Sequence, residues 1–335
     1  MNLLRKILIP TVPVYQGITW LRNYCFDNDI LKSKSYNFPV ICVGNLSVGG
    51  TGKTPMIEYL IQLLKEDYYV GTLSRGYRRE TKGFLLADDT ATAKTVGDEP
   101  FQFYQKFSEI IVSVGEDRQL AIEQLLQLEK SPEVLLLDDA FQHRKVQAGL
   151  NILLTSYNDL YVNDMVLPTG NLREPKSGAK RADLIIVTKC PENISVKEQE
   201  KIKDELKIKS HQQLFFSSIS YANEIISKEK GMDLEELKNK PFTLVTGIAN
   251  PMPLVDYLNK KGFNFNHEAY KDHHDFTASD ISKLEKMELV LTTEKDYVRL
   301  KDALKGNNVF YLPIASKILN AEAFDNNIKM FIKSF

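Results

Sequence analysis

Short apolar runs alternate with stretches of helical period over the first part of this chain. Phe38–Gly44, Tyr69–Ser74, Ile110–Val114, Val134–Leu137, Ile152–Thr155 and Leu184–Thr188 read as strands buried on both faces. Met56–Leu64 and Asp117–Leu128 carry apolar residues at helical spacing, in the second case Ala121, Ile122, Leu125 and Leu126. Short strands alternating with helices predict an α/β fold. Its mostly parallel sheet is covered by helices and binds ligands beyond the C-terminal strand ends.

A Lys/Glu-rich section follows Cys190. Lys197–Lys209 predicts a solvated helix and Ser227–Asn239 a charged surface stretch. A second α/β pattern then begins, with strands at Phe242–Gly247, Leu289–Thr292 and Val309–Leu312 and a helix at Met252–Lys260. The expected boundary lies near Ser217–Ser220. It divides a domain of residues 31–217 from a smaller α/β domain of residues 218–335, and 335 residues suit two domains. No internal repeat or low-complexity segment stands out.

Residues 1–30 form a separate N-terminal segment. Its first part is apolar, holds Arg5, Lys6, Tyr15, Trp20 and Arg22, and is interrupted by Pro10, Pro13 and Gly17. It has no apolar run long enough to cross a bilayer and no small-residue cleavage site. Cations beside Trp and Leu suit a segment lying on a membrane surface, and they equally suit a helix packed on the protein's own core.

Composition narrows the partners. A formal net charge of −1 excludes a global basic field for nucleic acid, so any cationic site is local. The cysteines, Cys25, Cys42 and Cys190, are scattered without C-x-x-C spacing, which points to a reducing compartment and away from zinc. No obligate protein partner is evident.

The densest chemistry lies at GNLSVGGTGKTP, where an apolar strand ends in a Gly-rich loop before Gly52-Lys53-Thr54 and a helix. This is the context of a phosphate-binding loop, with Ser47, Val48, Gly49, Gly50, Thr51 and Gly52 wrapping phosphates through backbone N–H groups. Lys53 suits the β- and γ-phosphates of a nucleotide and Thr54 suits Mg²⁺. Ser47 stands where the usual spacing has Gly.

Further clusters accompany the loop. Asp138 and Asp139 end an apolar strand, where a carboxylate holds Mg²⁺ in phosphate-loop proteins or caps a helix. Gln142, His143 and Arg144 follow on the same turn. Asp98 in VGDEP suits a general base or a helix cap before Pro100. Arg75, Arg78 and Arg79 lie just past a strand end and suit an anion or plain solvation. Asn171, Arg173 and Glu174 decorate the loop LPTGNLREP. His273 and His274 in DHHDF suit metal binding, acid–base chemistry or a polar surface turn.

Seven motifs in order, GNLSVGGTGKTP, LSRGY, VGDEP, LLLDDAFQHR, LPTGNLREP, DHHDF and TTEKD, resemble the tetraacyldisaccharide 4′-kinase family over nearly the whole chain. The departure at Ser47 is shared by that family. The resemblance implies a P-loop kinase using ATP and Mg²⁺ on the 4′-hydroxyl of a tetraacyldisaccharide 1-phosphate, a glycolipid of lipopolysaccharide synthesis. It implies a peripheral protein of the inner membrane's cytoplasmic face, docked through the N-terminal segment, with two α/β/α domains around a cleft. It pairs Asp98 as base with His273. It adds Glu174 to Thr54, Asp138 and Asp139 as metal contributors. Arg75, Gln142, Asn171 and Arg173 then become substrate contacts, with Arg118 as a further anion-holding arginine.

A regulatory or metal-delivery GTPase is the competing class. Val187-Thr188-Lys189-Cys190-Pro191 follows a strand where a guanine-reading Asn/Thr-Lys-x-Asp would lie, but Pro191 replaces the carboxylate. A nucleotide-dependent membrane scaffold is a third reading.

Overall fold

The computed structural model describes residues 8–335 apart from 229, 302 and 305–307. A helix, Val12–Asp27, precedes strands β1 (Val40–Asn45), β2 (Val70–Ser74), β3 (Leu85–Leu86), β4 (Ile111–Val114), β5 (Val134–Asp138), β6 (Leu150–Ser156), β7 (Leu184–Thr188) and β8 (Gln213–Tyr221). These strands join β15 (Ile314–Ile318) in a nine-stranded sheet ordered β15-β8-β7-β6-β1-β5-β2-β4-β3. The sheet is parallel except for the edge pairs β15–β8 and β3–β4. Strands β2 to β5 lie on one side of β1 and β6 to β8 on the other. The C-terminal end of β1 is therefore the switch point where a doubly wound sheet opens a crevice.

Helices cover both faces. On one, Lys53–Leu64, Asp98–Lys106 and Ala321–Ile332 bury Met56, Ile57, Leu60, Ile61, Leu64, Phe103, Phe324 and Ile328. On the other, Arg118–Leu126 and Val196–Leu206 bury Ala121, Ile122, Leu125, Ile202 and Leu206. Each large aliphatic side chain withdrawn from water contributes about 1.5–3 kcal/mol. The five buried apolar residues of Lys53–Leu64 thus hold rigid the helix that follows the phosphate loop.

The second sheet contains β9 (Glu224–Ile226), β10 (Gly231–Asp233), β11 (Phe242–Thr246), β12 (Phe265–Ala269), β13 (Val290–Thr293) and β14 (Val309–Leu312), ordered β10-β9-β14-β13-β11-β12. Helices Met252–Lys260, Ala278–Leu284 and Glu294–Leu300 pack with it around Leu244, Leu258, Leu291, Leu284 and Leu300. The chain passes between the sheets twice, from β8 to β9 and from β14 to β15, and the two crossings are tied where Ile314 pairs with Tyr221.

The expected division at 217 needs a correction at its far end. Residues 224–312 build the second sheet, but β15 and the helix Ala321–Ile332 return to the first, where Ile318, Phe324, Ile328 and Ile332 join its core. The stretch Ser227–Asn239 is also less exposed than its charge suggested. It contains β10 and a 3₁₀ segment, Leu234–Asn239, whose Leu234 and Leu237 are buried.

Candidate active site

The loop from Leu46 to Gly52 leaves β1 at the switch point. Positive φ angles occur at Gly49 (111°) and Gly52 (88°), so the left-handed positions of the turn fall on glycine. Ser47 has no such angle. It pairs antiparallel with Leu172, so nothing in its backbone requires glycine. The loop is stapled from outside: Val48 N donates to Asn171 O and Arg173 N to Leu46 O, each at 2.7 Å. From within, Asn45 Nδ2 donates to Thr51 Oγ1 at 2.8 Å, Thr188 Oγ1 to Thr51 O at 2.7 Å, and Lys189 Nζ to Gly50 O at 2.5 Å. Thr188 and Lys189 thus brace the phosphate loop, and the segment that resembled a guanine reader offers no carboxylate at Pro191.

Lys53 and Thr54 open the following helix. Lys53 Nζ lies 3.7 Å from Asp139 Oδ1, and Arg173 Nη1 reaches both Asp139 oxygens at 2.8 and 2.9 Å. Burial works to raise the Asp139 pKa, but Lys53 and Arg173 outweigh it and hold the carboxyl below its ordinary range. Asp138 is the opposite case. It is buried, its Oδ1 has no hydrogen-bond partner, and burial followed by the charges of Glu99 and Asp139 pushes it up to about 8. An orphaned buried carboxylate oxygen beside the phosphate loop is the donor a hard divalent cation takes. Thr54 and Asp138 therefore fit Mg²⁺. Among the described residues no cluster of three His, Cys, Asp or Glu could hold a metal unaided, so nucleotide oxygens would have to complete the shell.

Glu174, expected as a metal contributor, is engaged by side chains of its own fold. Arg181 grips it with two bonds, Nη2–Oε1 at 2.7 Å and Nη1–Oε2 at 2.9 Å. Gln142 Nε2 and Asn23 Nδ2 add bonds at 3.0 and 2.8 Å. Both oxygens and the charge are spent on neighbours. The consequence is structural: Glu174 and Gln142 fasten the helix Val12–Asp27 to the first sheet, with Arg22 donating to Gln142 O and Tyr15 to Arg173 O. The expected substrate contacts are spread accordingly. Gln142 also donates to Asn45 O, Asn171 backbone atoms bind Val48 and Asp164, and Arg173 serves Asp139. Arg75 is exposed at the end of β2. It adds to burial in lowering the pKa of Arg118, which in turn bonds Gly115 O at 2.6 Å.

Across the seam, Asp98 starts the helix Asp98–Lys106 and its Oδ2 lies 3.2 Å from His273 Nδ1. Gly97 is required just before it. Its φ is 96°, and an added Cβ would come within 3.2 Å of Gly76 Cα and Tyr77 O. Lys295 Nζ lies 3.0 Å from His273 Nε2. An ammonium can only donate, so Nε2 accepts and Nδ1 carries the proton that is given to Asp98. Arg299 Nε approaches the same Asp98 oxygen at 3.5 Å. Asp98 Oδ1 has no partner among the described residues. Burial raises the Asp98 pKa, but the bond from His273 and the charge of Arg299 lower it further, so the group is ionised at neutral pH.

The two histidines diverge, which removes the metal reading of DHHDF. His274 stacks on Tyr270 and binds Asp280 at 3.0 Å within the second sheet's own loop, whereas His273 crosses to Asp98. Lys295 and Arg299 were given no role in the sequence reading. The TTEKD motif contained the only signal for Lys295, and nothing in the pattern marked Arg299.

The helix Val12–Asp27 leaves Val14 and Ile18 each 65% exposed, with Leu21, Trp20 and Tyr24 also outward. Residues 1–7 of the expected docking segment, including Arg5 and Lys6, lie outside the described residues. No helix among the described residues is long and apolar enough to cross a membrane.

Comparison with known proteins gives this chain a family. The profile of the family Tetraacyldisaccharide-1-P 4′-kinase matches residues 4–333. A tetraacyldisaccharide 4′-kinase of Flavobacterium johnsoniae is 51% identical over 99% of this chain and 98% of its own length. One of Phocaeicola vulgatus is 41% identical over 98% of this chain and 96% of its own. The crystal structure of LpxK from Aquifex aeolicus in complex with ATP superposes with a TM-score of 0.81 at 32% identity, covering 98% of this chain and all of that one. With that coverage and the phosphate loop in place, this chain belongs to the tetraacyldisaccharide-1-phosphate 4′-kinase family.

Proposed function

We propose that the protein transfers the γ-phosphate of ATP to the 4′-hydroxyl of a tetraacylated, β-1,6-linked glucosamine disaccharide 1-phosphate, the lipid A precursor. The observation that carries this reading is the juxtaposition of a phosphate loop with an Asp98–His273 pair whose Asp98 Oδ1 is free for a hydroxyl. The charge of Glu99 is felt at Asp138, so the residue next to Asp98 lies near the phosphate-loop carboxylates.

In this mechanism the loop amides and Lys53 orient the nucleotide's terminal phosphates, at the switch point of a sheet and the N-terminus of a helix. Thr54 and Asp138 would hold Mg²⁺, which supplies neutralising charge to the phosphates when bound. Asp98 Oδ1 accepts the proton of the 4′-hydroxyl as the oxygen bonds to the γ-phosphorus and the bond from that phosphorus to the β–γ bridging oxygen breaks, releasing ADP. His273 Nδ1–H fixes the other oxygen, and Lys295 fixes the tautomer of His273. Arg75 and Arg118, at the strand ends, offer positive charge for the lipid's phosphate or the transferring group. The residues come from both sheets, so assembly of the site from two bodies excludes water that would hydrolyse ATP.

The exposed apolar face of Val12–Asp27 supports a protein that lies on a membrane surface, which the family resemblance implies is the cytoplasmic face of the inner membrane. Val14, Ile18 and Leu21 follow one another at helical spacing, and Trp20 stacks on Tyr24 at 5.4 Å. A face of this kind suits the approach of an acylated substrate that never leaves the bilayer.

The test is transfer of radiolabelled γ-phosphate from ATP to tetraacyldisaccharide 1-phosphate in detergent with Mg²⁺, with the intact chain and with Lys53→Ala. Labelled lipid from the intact chain alone supports the reading. Lys53-dependent hydrolysis of ATP or GTP with no labelled lipid overturns it.

A further inference from the structure

Three charged side chains from three helices meet in the seam between the sheets. Glu58 lies on the helix that follows the phosphate loop, Lys106 ends the helix that begins with Asp98, and Glu294 begins the helix that carries Lys295 and Arg299. Lys106 Nζ is 2.7 Å from Glu58 Oε2 and 3.0 Å from Glu294 Oε1. Gln102 donates to the second Glu58 oxygen at 2.8 Å. Glu58 is only 6% exposed and Glu294 only 8%. Burial, together with the Glu58 charge, pushes Glu294 up to about 7.

Two buried carboxylates around one ammonium form a costly way to close a seam, since apolar side chains of similar size would serve stability at least as well. What the arrangement adds is register. A point charge held between two carboxylates from different bodies defines one relative placement, whereas an apolar contact tolerates sliding. Each of the three helices also has a reaction-centre residue near its start: Lys53 and Thr54, Asp98, and Lys295. The helix Glu294–Leu300 is seven residues long, and it presents Glu294 to Lys106 while Lys295 reaches His273 and Arg299 reaches Asp98.

We propose that Glu58, Lys106 and Glu294 are positioning residues, a clamp that ties the phosphate-loop helix to the helix bearing Lys295 and Arg299 and so sets the Asp98–His273 pair in register with the phosphate loop. This rests on the kinase reading above. The polar atoms of the clamp are engaged with one another and with Gln102. The clamp acts through Lys295, His273 and Asp98, whose alignment must be held at sub-ångström precision.

Steady-state phosphate transfer to tetraacyldisaccharide 1-phosphate is measured for the full chain, for Glu294→Gln and Lys106→Met, and for each of these combined with His273→Ala, alongside melting temperatures. Both single variants are expected to lower kcat by ~10- to 100-fold, the cost of ångström-scale misplacement, with KM for ATP changed by less than ~2-fold. In the His273→Ala background the further loss is expected to shrink below ~2-fold, because a clamp acting through the pair has nothing left to align. Full kcat in the single variants overturns the proposal, as does a loss that is undiminished when His273 is absent. Where a variant melts early, Glu58→Gln provides the same comparison from the other end of the clamp. Early melting of all three reduces the cluster to a structural role and overturns the proposal. Absence of transfer by the unsubstituted chain sinks the kinase reading itself and is distinguished by being read first.

Discussion

Asp98 and His273 lie 175 positions apart in sequence, on opposite sides of the seam, and meet at 3.2 Å through Oδ2 and Nδ1. Each is held from behind. Asp98 sits at the start of a helix behind the obligatory Gly97, and His273 has a φ of 54° with its carbonyl bound by Arg78 Nη1 at 2.8 Å. A strained, over-determined backbone at a polar pair between two bodies is the signature of a site built for geometry.

Removing the proposed acceptor of the hydroxyl proton is expected to cost the most. Asp98→Ala is expected to lower kcat by at least ~10² with little change in ATP affinity. His273→Ala is expected to cost less, and the double variant no more than Asp98→Ala, because the two act as a unit. Arg299→Gln removes a charge that holds the Asp98 carboxyl low, so its pKa rises and kcat/KM falls more in acid than in alkaline buffer. Steady-state kinetics across pH checks all three. Near-normal turnover of Asp98→Ala removes it from the mechanism.

Asp138 trades stability for function. Its folded pKa, about 8, lies above the unfolded value, so from the ordinary carboxylate range up to that pH the folded state binds more protons than the unfolded one. Stability of the metal-free protein therefore declines as pH rises through that window. Asp138→Asn is expected to abolish transfer, and to raise the melting temperature of the metal-free chain by ~2 °C or more in mildly alkaline buffer. The gain should fade below about pH 3, where the wild-type group is protonated in both states. Calorimetry at two pH values with a chelator checks this, and equal melting at both contradicts it.

Glu174 is expected to act as an anchor more than as a metal ligand. Glu174→Gln leaves Arg181 without its charge partner in a mostly buried site and is expected to destabilise by about 3 kcal/mol. It also loosens the helix Val12–Asp27, because Asn23 and Gln142 share the same carboxylate. Denaturant unfolding measures the loss, and limited proteolysis reports the helix. A fully stable variant that needs far more Mg²⁺ for activity would return Glu174 to the metal site.

The outward face of the first helix is expected to meet the membrane. Ile18→Glu with Leu21→Glu adds charge where no core contact is lost, so melting should be unchanged while binding to lipid vesicles weakens by ~10-fold or more. Vesicle flotation checks it, and equal flotation of the variant places the membrane contact elsewhere.

Much of this was legible in the chain itself. Strands β1, β2 and β4 to β7 were readable because a strand buried on both faces must be apolar throughout, and the phosphate loop because only glycine takes the positive φ angles at positions 49 and 52. The helix Ala321–Ile332 also carried a signal in Phe324, Ile328 and Ile332, but only the tertiary structure shows that this helix and β15 belong to the first sheet. β15 and β8 were harder to read, because the edge strand β15 alternates in burial and β8 beside it mixes polar residues among its apolar ones.

The side-chain assignments divide along the same line. Which residue types stand at a strand end is a local property, and it marked Lys53, Asp98, Asp138 and Asp139. Which partner each one meets depends on packing between segments far apart in sequence. Only the structure could spend Glu174 on Arg181, leave Asp138 Oδ1 unpartnered, send His274 to Asp280, and bring Lys295 and Arg299 behind the Asp98–His273 pair that the family resemblance implied. An ionic contact carries almost no sequence signature, because its strength is set by distance and burial, and both are decided by the fold.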